Sequence, residues 1–76
     1  MTTKEIIEFY DTNAFAGVRD VMKICRCSYE KAKKLIDHIN EIRRKKNQFI
    51  HDDKKVPTVM LFKNIGIDIA QMKKVP

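Results

Sequence analysis

The sequence lacks several features that would mark a membrane protein or an enzyme. No run of apolar residues approaches the roughly 18 that a membrane span needs, and residues 1–10 lack the apolar core of a signal peptide. With two glycines there is no glycine-rich phosphate loop, and no Ser/His/Asp arrangement or paired-carboxylate site is visible. We therefore expect a cytoplasmic protein without membrane contact and without catalytic activity.

Cysteine is also scarce, and its spacing argues against a metal site. One residue separates Cys25 from Cys27, whereas structural zinc sites place two to four residues between their thiols. His38 and His51 follow without the spacing of a zinc finger. Because reduced cysteine packs as a small hydrophobic residue, we interpret both thiols as core residues and expect no metal or other cofactor.

Length and charge suggest a partner. A chain of 76 residues makes one small domain, spanning residues 1–76, which buries too little surface for a deep catalytic pocket. Sixteen Lys and Arg against ten Asp and Glu give a formal charge of +6, with a pI near 9.5. Such a balance is typical of a surface that meets phosphate. A basic protein that is merely soluble is the alternative.

The central stretch, residues 18–47, predicts a helix-turn-helix. A short helix over Val18–Cys25 is followed by a tight turn, and a long helix begins at Ser28, whose hydroxyl can cap it, and runs to about Lys46. Arg26 occupies a turn position where such motifs often have a left-handed glycine, so either Arg26 is strained or the turn differs locally. The buried face is predicted by apolar residues at helical spacing: Val21, Cys25, Cys27, Ala32, Leu35, Ile36, Ile39 and Ile42.

The outward face of the long helix is polar, and in a helix-turn-helix its first turns enter the major groove. Lys33 and Lys34 can donate to guanine or to phosphate. The carboxylates of Glu30 and Asp37 can accept from cytosine, complement the helix dipole or pair with lysines. The basic cluster at residues 43–46, which includes Arg44, is either a phosphate contact or a solvated helix end.

The flanking segments complete the predicted fold, which is mostly α with a small β-hairpin wing. Thr2 and Glu5 predict a capping box for a first helix of about two turns, which either packs across the central pair or forms a dimer contact. Residues 48–51 and 56–58 predict a hairpin whose tip carries Lys54 and Lys55, read either as a DNA-contacting wing or as a solvated tip. Val59 to Gly66 fits a strand or a short helix, and we predict the helix, capped by Thr58 and ended by Gly66. Residues 67–76 predict an irregular segment along the surface.

Several strings in the sequence resemble a known group of proteins. These are GVRDVMKI, CSYEKAKKLI and, some ten residues beyond the long helix, KKVPT and LFKNIGID. Over Gly17 to Asp68 the chain is similar to small helix-turn-helix proteins of bacteriophages and integrative elements of Gram-positive bacteria. Many of these are grouped with excisionases and MerR-like winged helices. Met22 departs from the general pattern, which often has Ala at this position.

The resemblance implies sequence-specific binding of double-stranded DNA in the nucleoid of a bacterial host cell. On this resemblance, the protein either regulates transcription or controls recombination as excisionases do. It would bind as a homodimer or as a cooperative array. The DNA-binding residues so predicted, together with Arg44 of the basic cluster, are Ser28, Tyr29, Lys31, Lys33, Lys34, Asp37, Arg44, Lys54 and Lys55. The alternative is a phage-type module that binds a phage or host protein through the same scaffold.

Overall fold

Over residues 1–50 and 52–74, which this computed structural model describes, the chain is mostly helical, with one two-stranded antiparallel sheet. The elements in order are α1 (Thr3–Thr12), β1 (Phe15–Gly17), α2 (Val18–Cys25), α3 (Tyr29–Lys45), β2 (Lys55–Pro57), α4 (Thr58–Ile65) and α5 (Ile69–Lys74). Of the predicted features, His51, Val75 and Pro76 lie outside the described residues. None of the described helices is both long and apolar enough to cross a bilayer.

The predicted helix boundaries of the central pair are confirmed. Ser28 caps α3, and its side chain accepts a hydrogen bond from the backbone N–H of Lys31 at 3.4 Å. Arg26 ends α2 in the left-handed conformation with φ 53°, so the strained alternative holds. Asn47 is also left-handed, and the N–H of Gln48 then reaches back to the carbonyl of Arg43, which closes the end of α3.

One apolar core joins the central pair to the second half of the chain. It consists of Ala16, Val21, Ile24, Ala32, Ile36, Ile39, Val56, Leu61, Phe62 and Ile69. Cys25, Cys27, Leu35 and Ile42 of the predicted face are only half-buried. Each strand of the short sheet leads directly into a helix, since α2 follows β1 and α4 follows β2 without an intervening loop. The sheet thus ties the start of α2 to the start of α4.

The predicted wing is not confirmed. Gln48, Phe49 and Ile50 lie outside any strand, and the strand at residues 55–57 pairs with β1, so that Val56 lies opposite Ala16. The physical reason is that two other sets of contacts replace the predicted hairpin. Ala16 and Val56 are both fully buried in this register, and the carbonyl of Phe49 accepts a hydrogen bond from Arg43.

Two other predictions about the flanks need correction. The capping box of Thr2 and Glu5 is present, but α1 packs mainly on α5 and α4, with the Tyr10 and Phe62 rings 5.2 Å apart. The N-terminal amine of Met1, just before α1, also donates to the carbonyl of Lys23 on α2 at 3.4 Å. The segment predicted to be irregular contains α5, because Asp68 caps a new helix and Ile69 is buried. The fourth helix is confirmed, with left-handed Gly66 at its end, but Thr58 is its first residue rather than its cap, because Pro57 holds the cap position and the buried hydroxyl of Thr58 makes no capping hydrogen bond.

Candidate nucleic-acid interface

One flank of α3 forms a shallow groove with the segment that precedes β2. Tyr29, Lys33 and Asp37 follow one another at intervals of four residues and therefore lie on the same side of the helix. Together with Asp53 and Lys54 they line a depression of about 340 Å³, floored by Val18 and Ile36. The structure thus brings together four of the predicted residues from two parts of the chain.

The other predicted residues of α3 face different directions. At about 100° per residue, Lys31 projects roughly 160° away from Lys33, on the opposite flank of the helix. Lys34 lies between them and points most directly away from the core, which is formed by Ala32, Ile36 and Ile39. The set predicted as one face is therefore an arc of exposed side chains, with Lys34 at its centre and a lysine on each side.

The remaining predicted residues lie apart from this groove. Arg44 is exposed on nearly the same side of α3 as Lys33, but about three turns further along the helix. Lys55 is exposed and lines a second depression. The hydroxyl of Ser28 is used as the helix cap, so it is less available to a ligand than its exposure suggests.

Two buried polar side chains of α3 hold the backbone at Phe49 and Asp53 against the helix. Asn40 is 1% exposed and donates a hydrogen bond to the carbonyl of Asp53 at 2.7 Å. Arg43 is 6% exposed and donates to the side chain of Asn40 at 3.0 Å and to the carbonyl of Phe49 at 3.4 Å. This pair fixes Asp53, and with it the neighbouring Lys54, beside Lys33. Arg43 therefore has a structural role and is not available to phosphate.

A second depression, of about 430 Å³, lies beside Arg43. It is lined by Phe15, Arg43, Phe49, Asp52 and Lys55. Phe15 is 53% exposed and Phe49 is 83% exposed, which is unusual for large apolar side chains. The sequence pattern predicts Phe49 to be a strand residue. No local pattern identifies this depression, because Phe15 and Phe49 are far apart in the chain.

The charges of the groove are mixed. Lys33 and Lys54 line it with Asp37 and Asp53, so donors and acceptors alternate over a short distance. The excess positive charge lies around the groove, on exposed Lys31, Lys34, Arg44 and Lys46. This arrangement suits a polyanion that presents its own donors and acceptors, because a plain anion would be repelled by the two carboxylates.

The cysteines are free thiols and lie half-buried beside the core. Burial raises the pKa of the Cys25 thiol, and the nearby thiol of Cys27 adds to the effect. Both effects disfavour the thiolate, which is the form that binds metals and attacks electrophiles. Over residues 1–50 and 52–74, no three His, Cys, Asp or Glu side chains gather where they could hold a metal ion.

Comparison with known proteins adds no relative. No protein family, no curated protein and no solved structure matches this chain.

Proposed function

We propose that this protein binds double-stranded DNA in a sequence-specific manner, with α2 and α3 as a helix-turn-helix. The observation that carries the proposal is the arc of exposed polar side chains on the first turns of α3, bordered on one side by the groove with Lys54. Helix-turn-helix proteins insert these turns into the major groove. The arc covers about half of the helix circumference, and it carries both donors and acceptors.

The directions of the side chains suggest separate roles. Lys34 projects away from the core and faces the floor of a major groove, where Lys can donate to guanine, and Asp37, on the flank between Lys34 and the groove, can accept from cytosine. Lys33 and Lys54, on one flank, lie where one phosphate backbone would pass. Lys31, on the other flank, lies toward the second backbone. Arg44 extends the phosphate contact along the helix.

The test is selection of bound sequences from a random duplex library, followed by a salt titration on the enriched site. We expect one enriched motif and, with about five phosphates neutralised, a slope of log affinity against log salt of roughly −4 to −5. A two-fold motif would indicate a homodimer, whereas direct repeats would indicate a cooperative array. Recovery of no motif, with binding equal on all duplexes, would contradict sequence specificity. Whether the protein regulates transcription or directs recombination follows from where the motif lies.

A protein-binding role is the second candidate, and the depression at Phe15 and Phe49 favours it. Two aromatic side chains beside Lys55 and a buried arginine resemble the centre of a protein interface more than a DNA contact. On this reading the basic charges maintain solubility. The salt titration separates the two candidates, because a DNA association that is absent or independent of salt favours protein binding.

A further inference from the structure

Two segments of the chain contain the same order of elements. In each, a strand is followed directly by an eight-residue helix, a three-residue turn and a second helix. The N-terminal unit consists of β1, α2 and α3, and the C-terminal unit consists of β2, α4 and α5. Each element of the C-terminal unit begins 40 residues after its counterpart, at residues 55 and 15, 58 and 18, and 69 and 29.

The turns of the two units share their hydrogen bonds as well as their length. The first helix ends in a left-handed residue, Arg26 in one unit and Gly66 in the other. The carbonyl of Met22 accepts from the N–H groups of residues 26 and 27, and the carbonyl of Phe62 accepts from those of residues 66 and 67. The two turns therefore have the same backbone geometry.

The second helices are capped in the same way. The hydroxyl of Ser28 accepts from the N–H of Lys31 at 3.4 Å, and the carboxylate of Asp68 accepts from the N–H of Gln71 at 3.2 Å. These residues are again 40 positions apart, as 28 and 68, and 31 and 71. The second helix thus starts at the same point of the repeat in both units.

The sheet relates the two strands by a local two-fold axis, whereas the second helices differ, because α3 has 17 residues and packs on α2 and α5 has 6 residues and packs on α1. Val56, the counterpart of Ala16, lies directly opposite it. The flanking pairs, Phe15 with Pro57 and Gly17 with Lys55, exchange when the two units are exchanged. The strand register is therefore unchanged by the exchange, as it is at the symmetric interface of a homodimer.

Residue identity between the units is confined to lysine. Over residues 15–36 and 55–76, the same residue occurs in both units at three positions: Lys23 and Lys63, Lys33 and Lys73, and Lys34 and Lys74. All six side chains are exposed. The cores of the two units are filled by different apolar residues, whereas these outward positive charges are the same.

We infer that the C-terminal unit is a second surface for double-stranded DNA, with Lys73 and Lys74 contacting phosphates. This inference rests on the proposed function of the N-terminal unit, because it extends that unit's contacts to the corresponding lysines of the C-terminal unit. One chain then touches DNA at two surfaces, one on each unit.

The C-terminal unit differs from the N-terminal unit in ways that suit phosphate contact rather than base reading. The exposed Tyr29 is replaced by Ile69, which is buried, and Lys54 by Ala14. Lys73 also makes an ion pair with Asp11 at 3.1 Å, with both side chains about half exposed. An exposed pair of this kind is weak and salt-sensitive, so Lys73 can exchange Asp11 for a phosphate.

The inference is tested by comparing Lys33→Ala with Lys73→Ala, using Lys4→Ala on α1 as the control that removes one charge elsewhere. Binding to a random-sequence duplex is measured at several salt concentrations. We expect both Lys33→Ala and Lys73→Ala to flatten the salt slope by about one and to weaken binding about eightfold at 0.1 M salt, which is the contribution of one phosphate contact. Lys74→Ala, outside the ion pair with Asp11, should behave in the same way.

A gain of affinity provides a second measurement. Asp11→Asn frees Lys73 and removes an opposing charge, so binding should tighten by roughly twofold to fivefold. Glu8→Gln removes the same charge from the same helix without touching Lys73, and its effect should be smaller.

The outcomes are distinguishable. If Lys73→Ala and Lys74→Ala match Lys4→Ala while Lys33→Ala loses affinity, the second surface is wrong and the proposed function stands. If the unmodified protein binds no duplex, the proposed function itself fails. Circular dichroism of each variant confirms that the fold is intact.

Discussion

The guanidinium of Arg43 donates a hydrogen bond to the side-chain oxygen of Asn40 at 3.0 Å, within the buried side of α3. Both residues also bind carbonyls of the loop that follows α3, at Phe49 and Asp53. One turn of the helix therefore holds two points of this loop. Within the basic cluster at residues 43–46, Arg43 serves the fold while its neighbours are exposed.

Replacing Arg43 should therefore differ sharply from replacing Arg44. Arg43→Ala removes the donor to the buried side-chain oxygen of Asn40 and one donor to the part-buried carbonyl of Phe49, so the free energy of unfolding should fall by roughly 2–4 kcal/mol. Arg44→Ala removes an exposed side chain, so stability should change by no more than about 0.5 kcal/mol. Urea unfolding of the two variants measures the difference. Equal stabilities would contradict the structural role of Arg43.

Backbone strain at Arg26 gives a second prediction. A side chain disfavours the left-handed conformation, so Arg26→Gly should raise the free energy of unfolding by about 1 kcal/mol. Gly66→Ala should lower it by about the same amount, because a Cβ at Gly66 would meet no atom within 4 Å and the cost lies in the backbone alone. Arg26→Ala is the control for loss of charge, and thermal unfolding should show no stabilisation by it.

Cys25 gives a prediction about pH. The pKa of its thiol is raised in the folded protein by burial, so the folded chain holds this proton more tightly than the unfolded chain does. The resulting stabilisation is complete below the unfolded pKa, about 8.5, and is lost as the pH rises through the folded value. Denaturation by urea between pH 7 and pH 10 should show this decline, and Cys25→Ala should reduce it. If stability declines equally in Cys25→Ala, other groups cause the decline.

The sequence was informative where local chemistry decides the structure. Ser28 and the apolar spacing after it predict α3, because a capping hydroxyl and one apolar face are properties of a single segment. Left-handed Arg26 was predicted as one of two alternatives for the same reason. The shallow groove can also be predicted in part, since helical spacing alone places Tyr29, Lys33 and Asp37 on one flank of α3.

The other predictions fail where the structure depends on contacts that no local sequence pattern shows. The partner of β2 is a three-residue strand near the N-terminus, too short to show an alternating pattern, so a local hairpin appeared preferable. Asn40 and Arg43 look like surface residues in the sequence, because they bind backbone carbonyls of the segment after α3 and no residue pattern marks a carbonyl as a partner. The sequence does not reveal the repeat, because the two units have the same residue at only three positions, and all three are lysines.

The last prediction separates reading of bases from attraction to phosphates on α3. Lys34 points away from the core, whereas Lys33 lies in the groove beside Lys54. Lys34→Ala should therefore cost roughly 1–3 kcal/mol on the preferred site and much less on random duplexes, because a lost base contact removes specificity. Lys33→Ala should weaken both duplexes equally. Affinities for the selected site and a scrambled site measure this contrast.

Three results would change the conclusion. A uniform loss in Lys34→Ala would reduce the protein to a non-specific binder, because no base contact would then distinguish the sites. A selective loss in Lys33→Ala instead would assign base reading to the groove flank. No loss in either variant, with an intact circular dichroism spectrum, would mean that α3 is not the DNA surface. The depression at Phe15 and Phe49 would then become the leading site, and a protein the leading partner.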